Sequence, residues 1–434
     1  MTSLPNYLET LRYLYDLQWR GMKFGLRNTR AILKQIGNPH RRFSSVHLAG
    51  TNGKGSTSAY LASIALEGGL KTGLYTSPHL LRFTERIRVN GTELSEDRLV
   101  YYVNDLRRAI ESVHATFFEA TTCVAFRYFA DENVELAVVE TGLGGRFDAT
   151  NVLLPLASVI TSIGLDHTQY LGSSPARIAF EKGGIIKRGI PVVTGALGRE
   201  ASGVLRRIAE KREAPFVLAS RRAPCAIGRT RAGYRMTFKG GLAKGLAVTP
   251  GLRGIHQVRN AQLAVATLSV LTGRGDLLPL SRKVIREGLM RVRRNSGLRG
   301  RMEIVESGGG RYILDVGHNP DGIRTLVQAL EAERLVPAVV VFGVMEDKDS
   351  ISMLAALRPL TGRLIAVAPH MPRSLSAVET GRRAKDAGFT ADRASSVAAG
   401  LHAARAIAGR SDVLVTGSHY VVAEALKTLE ESSG

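Results

Sequence analysis

The sequence predicts an α/β protein with two domains: a P-loop-type parallel-sheet domain, followed by a smaller Rossmann-like α/β domain. Its 434 residues exceed what one hydrophobic core usually organises. From Phe43 onward, short apolar runs alternate with longer helical patterns, which is typical of a parallel sheet covered on both faces. A loop rich in glycine, with one lysine, directly follows the first apolar run, at residues 50–57.

The first domain is expected to begin with helical residues 5–36, which end at the Gly37-Asn38-Pro39 stop. Strands are predicted at 44–49, 72–76, 134–140, 157–163 and 190–194. Helices are predicted at 55–68, 95–113, 119–131, 174–183 and 199–212. Residues 214–250, rich in Gly and Arg, are expected to form small hairpins, with helices to follow at 260–271 and 280–292.

The segment Arg293-Arg294-Asn295-Ser296-Gly297-Leu298-Arg299-Gly300 is polar and contains glycine, as linkers do. We therefore expect a first domain at 1–294, a linker at 295–300 and a second domain at 301–434. In the second domain, strands are predicted at 311–315, 337–343, 363–368 and 412–416. Its helices are predicted at 320–333, 350–358, 374–387, 394–408 and 420–430.

Composition narrows the class of protein. No apolar run is long enough to cross a bilayer, and two cysteines make no disulfide framework. With no export signal at the N-terminus, the cytoplasm is expected. The net charge of +21 invites a nucleic-acid interpretation, but no stacking aromatics are interleaved in the basic block at 282–301. A solvated basic surface, or a field that attracts polyanionic substrates, fits as well.

The loop Gly50-Thr51-Asn52-Gly53-Lys54-Gly55-Ser56-Thr57 stands between a predicted strand and a predicted helix. That arrangement cradles a nucleotide phosphate with backbone N–H groups, while Lys54 adds a charge and Ser56 or Thr57 can reach Mg²⁺. Its spacing departs from the general P-loop, which has Gly and Ser/Thr where this chain has Leu48 and Gly55. The alternative is a surface turn with a stray lysine.

Polar residues follow the other strands of the first domain. Ser77, Glu140 and His167 come after the strands at 72–76, 134–140 and 157–163. Because ligands of open parallel sheets bind at the carboxyl ends of the strands, these groups are candidate Mg²⁺ ligands. Alternatively, Glu140 caps a turn and the Asp166-His167 pair is a structural hydrogen bond.

Three further segments carry candidate residues. Lys182 lies near a predicted helix end, where a surface lysine is also favoured by the helix dipole. Asp315-Val316-Gly317-His318-Asn319-Pro320 leads from a strand into a helix, and an N-cap explains Asn319 and Pro320 but not Asp315 or His318. Thr416-Gly417-Ser418-His419 ends the last strand in the same way.

With these motifs in order, the chain resembles the folylpolyglutamate synthase / dihydrofolate synthase family, within the Mur-type ligase superfamily. The resemblance covers nearly the whole chain. It rests on residues 26–39, 50–57, 76–80, 118–121, 140–151, 165–168, 181–183, 300–301, 315–320 and 416–418.

The resemblance implies an ATP-dependent ligase that joins L-glutamate to a pteroyl carboxylate, with the first domain as its ATPase. By motif position, ATP would be bound by Gly53, Lys54, Gly55, Ser56, Asn260, Arg301 and Asp315. One or two Mg²⁺ ions would be held by Ser77, Glu140 and His167. The pterin site would be lined by Phe118, Glu119, Ala120, Thr121, Phe147, Asp148 and Ala149. Lys182 matches a lysine that the family often carries carbamylated, and His318 and Ser418 would face the incoming glutamate.

The family often has Asp-Gly-Ala-His-Asn-Pro where this chain has 315–320, and Leu where it has His419. Lys54, Lys182, Asp315 and His318 are the expected catalytic residues, with Asp315 or His318 accepting the proton of the attacking amine. Small-molecule substrates, no membrane, no nucleic acid and a monomeric state are expected. Two alternatives are a Mur-type ligase acting on a cell-wall precursor and a basic, nucleotide-dependent nucleic-acid-binding protein.

Overall fold

The first sheet has eight strands in the order β4-β3-β2-β5-β1-β6-β7-β8. The computed structural model describes residues 4–21, 25–230, 233–277 and 279–431. The strands are β1 Ser44–Ala49, β2 Thr72–Tyr75, β3 Ile87–Val89, β4 Thr92–Glu93, β5 Leu136–Glu140, β6 Ala157–Ile160, β7 Val192–Thr194 and β8 Phe216–Leu218. From β2 to β8 all neighbours are parallel, whereas β3 and β4 add an antiparallel edge.

Helices cover both faces of this sheet. They are α1 Tyr7–Asp16, α2 Arg27–Gln35, α3 Lys54–Glu67, α4 Glu96–Ser112, α5 Phe117–Asp131, α6 Thr168–Leu171, α7 Pro175–Gly183, α8 Arg199–Lys211, α9 Ala219–Arg222, α10 Ile255–Gly273, α11 Arg282–Met290 and α12 Val292–Ser296. Side chains alternate between two cores along β5, as a pleated strand requires. Val138 packs into the core under α3 and α10, and Ala137 and Val139 pack into the core under α4 and α5.

Two expectations for this part need correction. The helical stretch 5–36 is broken, because α1 passes into a 3₁₀ turn at Leu17–Arg20 and Gly21 then adopts a φ of +72°. Residues 22–24 of that prediction lie outside the described residues. The hairpin region supplies β8, which joins the large sheet in parallel to β7, before it forms hairpins.

Those hairpins are β9 Cys225–Thr230, β10 Gly233–Phe238 and β11 Ala247–Val248, which form a small antiparallel sheet. Residues 231–232, between β9 and β10, lie outside the described residues. The small sheet packs through Met236 and Phe238 into the core that contains α3 and α10.

The second sheet has six strands in the order β12-β13-β17-β14-β15-β16. They are β12 Glu303–Ser307, β13 Gly310–Leu314, β14 Val339–Phe342, β15 Arg363–Ala366, β16 Thr390–Arg393 and β17 Val413–Thr416. Their helices are α13 Pro320–Glu333, α14 Ser350–Leu357, α15 Ala377–Asp386, α16 Val397–Ala408 and α17 His419–Glu431. Among the described strands of the second sheet, only β12 runs antiparallel to its neighbour. The predicted α/β class is therefore confirmed in both halves, and within the described ranges no helix is long and apolar enough to span a membrane.

Candidate active site

A cavity of about 2010 Å³ opens at the carboxyl ends of the first sheet's parallel strands and is closed on its far side by loops of the second sheet. The structure brings nearly all of the sequence-predicted residues to its walls. Those lining it are Gly53, Lys54, Gly55, Ser56, Ser77, Phe118, Glu119, Glu140, Phe147, Asp148, Ala149, His167, Lys182, Asn260, Arg301, Asp315, His318 and Ser418. Ala120 and Thr121 lie behind this wall, fully buried.

The glycine- and lysine-containing loop runs from the end of β1 into the N-terminus of α3, where no side chain caps the helix. The free backbone N–H groups there are suited to a phosphate. Gly53 has a φ of +85°, and a Cβ placed on it would lie 2.6 Å from Oδ1 of Asn260. Asn260 of α10 thus packs directly against the loop, more than two hundred positions away along the chain.

Lys54 is the first residue of α3, and its side chain folds back over the phosphate loop. Its Nζ donates to the carbonyl oxygens of Gly50 at 2.9 Å and Thr51 at 3.3 Å. It also lies 3.9 Å from Oε1 of Glu140. The lysine is therefore held between the phosphate loop and the carboxylate at the end of β5.

Glu140 is 4% exposed, and burial raises its pKa to about 7 against the opposing charges of Lys54 and Arg301. The backbone N–H of Ser77 also favours its ionised form. A buried carboxylate whose pKa stays raised despite these partners fits a site for a divalent cation, which would hold it ionised. Its oxygen, the Ser77 hydroxyl and an imidazole make a donor set that Mg²⁺ accepts, with water or phosphate completing the shell.

His167 adopts a left-handed backbone conformation, with a φ of +48°, directly before α6. Burial, together with nearby Lys348, lowers its pKa to about 4 although Asp166 opposes the shift. The imidazole is therefore neutral at pH 7, which is the form that binds metals. Among the described residues no cluster of three or more His, Cys, Asp or Glu side chains is arranged as a metal site, so the candidate set depends on the Ser77 hydroxyl.

Lys182 projects from α7 toward the same loop. Its Nζ donates to the Gly50 carbonyl at 2.9 Å, and the residue is 4% exposed. Burial and the neighbouring charge of Lys54 lower its pKa to about 7. A substantial fraction of this amine is uncharged near neutral pH, unlike that of an ordinary lysine.

Arg301 and Asp315 reach the cavity from the second sheet. A Cβ placed on Gly55 would lie 3.6 Å from Oε2 of Glu140 and 3.7 Å from Nη2 of Arg301, so both groups flank the phosphate loop. Asp315 accepts hydrogen bonds at 2.9 Å from the backbone N–H groups of Met302 and Gly317. Burial raises the pKa of this carboxyl, and Arg301 partly offsets the effect.

His318 and Ser418 lie on the same side of the cavity as Asp315. Nδ1 of His318 is 3.0 Å from the Val316 carbonyl oxygen, and Nε2 is 3.5 Å from Oδ2 of Asp166. Oγ of Ser418 accepts from the backbone N–H of Val421 at 3.2 Å, which caps the start of α17. The His318 ring lies 5.1 Å from that of His419.

Asp166 joins the two sheets, and sequence reasoning did not identify its partners. Lys348 Nζ donates to Oδ1 of Asp166 at 2.7 Å, and Nδ2 of Asn319 donates to Oδ2 at 3.0 Å. Asn319 also exchanges amide hydrogen bonds with Asn52 of the phosphate loop, at 3.0 and 3.2 Å. Glu140 was selected because it stands at the carboxyl end of a parallel strand. The same criterion would have selected Lys348, which follows β14 within a charged loop.

The wall expected to hold a pterin is only partly open. The Phe118 and Tyr75 ring centroids lie 6.0 Å apart, and Phe147 is 40% exposed under the Arg146 guanidinium. The Glu119 carboxylate instead accepts from the backbone N–H of Thr116 at 2.8 Å, which completes the N-terminal cap of α5.

Two other members of that set make hydrogen bonds within the protein. Asp148 accepts from the backbone N–H groups of Leu143 at 2.9 Å and Thr150 at 3.0 Å. The Thr121 hydroxyl donates to the Phe117 carbonyl at 2.7 Å, within α5. Aromatic faces and backbone therefore form most of this wall.

Two family models and several known proteins match this chain. Residues 48–268 match the Mur ligase middle domain, and residues 300–419 match the Mur ligase glutamate ligase domain. The chain is 36% identical over 365 residues to the dihydrofolate synthase/folylpolyglutamate synthase of Bacillus subtilis, covering 82% of this chain and 83% of that protein. It is 33% identical over 434 residues to the folylpolyglutamate synthase of Lacticaseibacillus casei, covering 98% and 99%.

Solved structures give the same result. Folylpolyglutamate synthase of Mycobacterium tuberculosis, complexed with ADP and AMPPCP, superposes with a TM-score of 0.88 at 29% identity, covering 98% of this chain and 99% of that one. Escherichia coli FolC in complex with DHPP and ADP superposes with a TM-score of 0.87 at 29% identity, over the whole of both chains. The expected family is therefore confirmed: the chain belongs to the folylpolyglutamate synthase / dihydrofolate synthase family of Mur-type ligases.

Proposed function

We propose that this protein is an ATP-dependent ligase that adds L-glutamate to a pteroyl carboxylate, converting dihydropteroate to dihydrofolate, a folate to a folylpolyglutamate, or both. The observation that carries the proposal is the single cavity in which a phosphate loop, the buried Glu140 and Lys182, and Arg301 and Asp315 of the second sheet face one another. The relatives bear folate-ligase names, so a cell-wall ligase is not favoured.

The chemistry must turn a poor acylating agent into a good one. Transfer of the γ-phosphoryl group of ATP to a carboxylate oxygen gives ADP and an acyl phosphate. The glutamate amine then forms the C–N bond, the C–O bond to phosphate breaks, and phosphate leaves. ATP and the acceptor carboxylate are both anions, so cations must neutralise their charge. Lys54 and Arg301 line the cavity and can do so.

Magnesium fits the residues at the strand ends, where Ser77, Glu140 and His167 would hold one or two ions. When bound, Mg²⁺ supplies positive charge to the phosphates and to the developing negative charge. In this proposal ATP is bound by Gly53, Lys54, Gly55, Ser56, Asn260, Arg301 and Asp315. Lys54, Lys182, Asp315 and His318 are its catalytic residues.

We assign removal of the amine proton to His318 rather than Asp315. Both oxygens of Asp315 already accept backbone N–H groups, whereas Nε2 of His318 faces the Asp166 carboxylate at 3.5 Å. Because Nδ1 of His318 faces the Val316 carbonyl and so carries a hydrogen, Nε2 is the nitrogen that would take the proton, and the imidazolium so formed would face Asp166. The substitution His318→Gln should therefore slow glutamate addition while acyl phosphate formation continues.

We propose that Lys182 is carbamylated. Its amine is enclosed, is partly uncharged near pH 7, and contacts the phosphate loop through Gly50. Attack of the neutral amine on CO₂ forms an N–C bond and releases one amine proton to solvent, which gives a carbamate anion, suited to a second metal ion, where an ordinary lysine carries a cation. Mass spectrometry in ¹³C-bicarbonate should show the label on Lys182, and an unmodified amine under these conditions would remove the proposal.

For the pteroyl group we propose contacts with Phe118, Phe147, Asp148 and Ala149, with Glu119, Ala120 and Thr121 holding α5 in place and Ser418 facing the glutamate. We further propose a first domain at 1–294, a linker at 295–300 and a second domain at 301–434. Closure of the second domain would then deliver Arg301 and Asp315 and keep water from the acyl phosphate.

We place the protein in the cytoplasm, since its two cysteines are unpaired and its co-substrate is ATP, and we propose separately that it is a monomer. Light scattering after gel filtration tests the monomer. Isothermal titration with dihydropteroate against a UDP-muramoyl substrate tests the substrate class. Heat of binding for the muramoyl compound alone would contradict the proposed function.

A further inference from the structure

Arg86 is a buried cation without an acidic partner. It is the last residue of the 3₁₀ turn Phe83–Arg86, directly before the edge strand β3, and is 8% exposed. No carboxylate of the described residues lies within ion-pair distance of its guanidinium, although ion pairs hold its neighbours Arg82 and Arg88 to Glu93. Burial lowers its pKa, and the nearby groups Tyr75, Tyr15, Tyr420 and Glu140 offset only part of that shift.

The immediate surroundings of Arg86 orient the guanidinium without neutralising it. Its Nε donates to Nδ1 of His79 at 2.8 Å. Its Cζ lies 5.2 Å from the Phe117 ring centroid and 5.8 Å from that of Phe83. Tyr15 stacks on Phe117, with ring centroids 5.8 Å apart, and extends the aromatic wall.

The two terminal nitrogens of Arg86 face open space. Neither has a hydrogen-bond partner among the described residues, and neither belongs to the fully enclosed polar atoms that lack a partner there. Arg86, His79 and Phe117 all line the cavity of the candidate active site. The protein thus presents a planar, fixed fork of N–H donors, which matches a carboxylate held by two parallel hydrogen bonds.

The position of Arg86 narrows the identity of that carboxylate. In the proposed reaction the phosphate loop, Lys54 and Arg301 serve ATP, and the acceptor's carboxylate must meet the γ-phosphate beside Lys54. A folate acceptor has a second carboxylate, but dihydropteroate has only one, so in its reaction the carboxylates left to bind are the two of the incoming amino acid. Arg86 lines the same cavity as Ser418, His419 and Tyr420, where α17 begins. Arg86 therefore lies where the two domains meet across the cavity.

From this geometry we infer that Arg86 binds a carboxylate of the incoming L-glutamate and fixes the direction from which its amine attacks. The inference rests on the proposed function, because it assigns a subsite within the same reaction. It requires Arg86 to act on the amino acid and not on ATP or on the pteroyl acceptor.

Replacing glutamate by hydroxylamine separates these roles, since hydroxylamine attacks an acyl phosphate but has no carboxylate. Arg86→Met and Arg86→Lys should raise the KM for glutamate roughly 10- to 100-fold, Lys less than Met. Both variants should form the hydroxamate at the wild-type rate, with unchanged KM for ATP and acceptor. The control Arg82→Met, in the same segment but with an exposed side chain, should change neither reaction.

Amides of glutamate identify the carboxylate. The wild-type enzyme should discriminate against either L-glutamine or the α-amide of glutamate, and Arg86→Met should lose that discrimination. The inference is overturned if the hydroxamate rate falls as far as the glutamate rate, if the acceptor KM rises instead, or if both amides remain discriminated as in the wild type. A wild-type enzyme that forms neither product would refute the proposed function itself.

Discussion

Lys348 Nζ lies 2.7 Å from Oδ1 of Asp166, and this ion pair ties the loop after β14 to the loop that carries His167. The side chains are 10% and 8% exposed, so solvent screens the pair weakly. His318, followed by His167 and Lys348, lowers the pKa of Asp166 far below its usual range although burial opposes the shift, and Asn319 donates to the other carboxylate oxygen. A candidate metal ligand and the second sheet are thereby held in one arrangement.

Lys348→Met should loosen this arrangement. Removing one partner of a buried ion pair leaves an uncompensated charge, at a cost of about 3–5 kcal/mol. We expect a larger radius of gyration in solution scattering and glutamate addition slowed at least about tenfold. Lys385→Met, which removes an exposed lysine of α15, is the matched control. Unchanged scattering and turnover for Lys348→Met would show that the ion pair does not hold the domains.

Gly53→Ala should weaken ATP binding. The new methyl group would meet Asn260 at a backbone φ of +85°, so the phosphate loop or the α10 side chain must move. We expect the KM for ATP to rise roughly tenfold, together with about 1 kcal/mol of lost stability. Gly69→Ala has nearly the same backbone strain, at a φ of +84°, with nothing within 4 Å of the new methyl. Gly69→Ala should therefore lower stability without raising the KM for ATP. Equal KM values for ATP in the two variants would contradict this explanation.

The sequence predicts the local elements of this fold well. The strands β1, β2, β5, β6 and β7 are buried on both faces, so each appears as a continuous apolar run. The sequence does not predict the edge strand β16, Thr390–Arg393, because three of its four residues are exposed and polar, so no apolar run marks the strand. The hairpin β12–β13 was half missed, although the Gly308-Gly309 turn between its strands was a usable signal.

For the site, strand ends and motif positions collected most of the cavity lining, because parallel strands deliver their carboxyl ends to one edge. Contacts between residues that are far apart in the sequence could not be predicted in this way. Nothing in local periodicity indicates that Asn260 packs on Gly53 or that Arg86 is left without an acidic partner. Those facts depend on which helix covers which loop, and only the assembled fold establishes them.

Lys54→Ala and Glu140→Ala should each abolish glutamate addition, with a loss of at least about 100-fold in turnover. Lys54 supplies charge at the phosphate loop, and Glu140 is the buried carboxylate of the candidate metal site. Circular dichroism should show a folded chain in both variants. Near-normal turnover in either one would contradict the site assignment.

Trp19 should report acceptor binding. It is the single tryptophan of the chain, is 85% exposed, and lines the mouth of the cavity. Contact with a pterin ring removes water from the indole, so its fluorescence should be quenched and shift to shorter wavelength as the acceptor is added. Trp19→Phe should remove the signal and leave turnover within about threefold. Emission that stays constant at saturating acceptor would place the pterin elsewhere.

The central claim is that one cavity activates a pteroyl carboxylate with ATP and joins it to glutamate. The most direct test measures phosphate release with dihydropteroate and with tetrahydrofolate, each with and without L-glutamate, and determines product masses. We predict glutamate-dependent release with at least one acceptor and a product heavier by one glutamyl residue. Release that is absent with both acceptors, or that leaves them without an added glutamyl residue, would contradict the account.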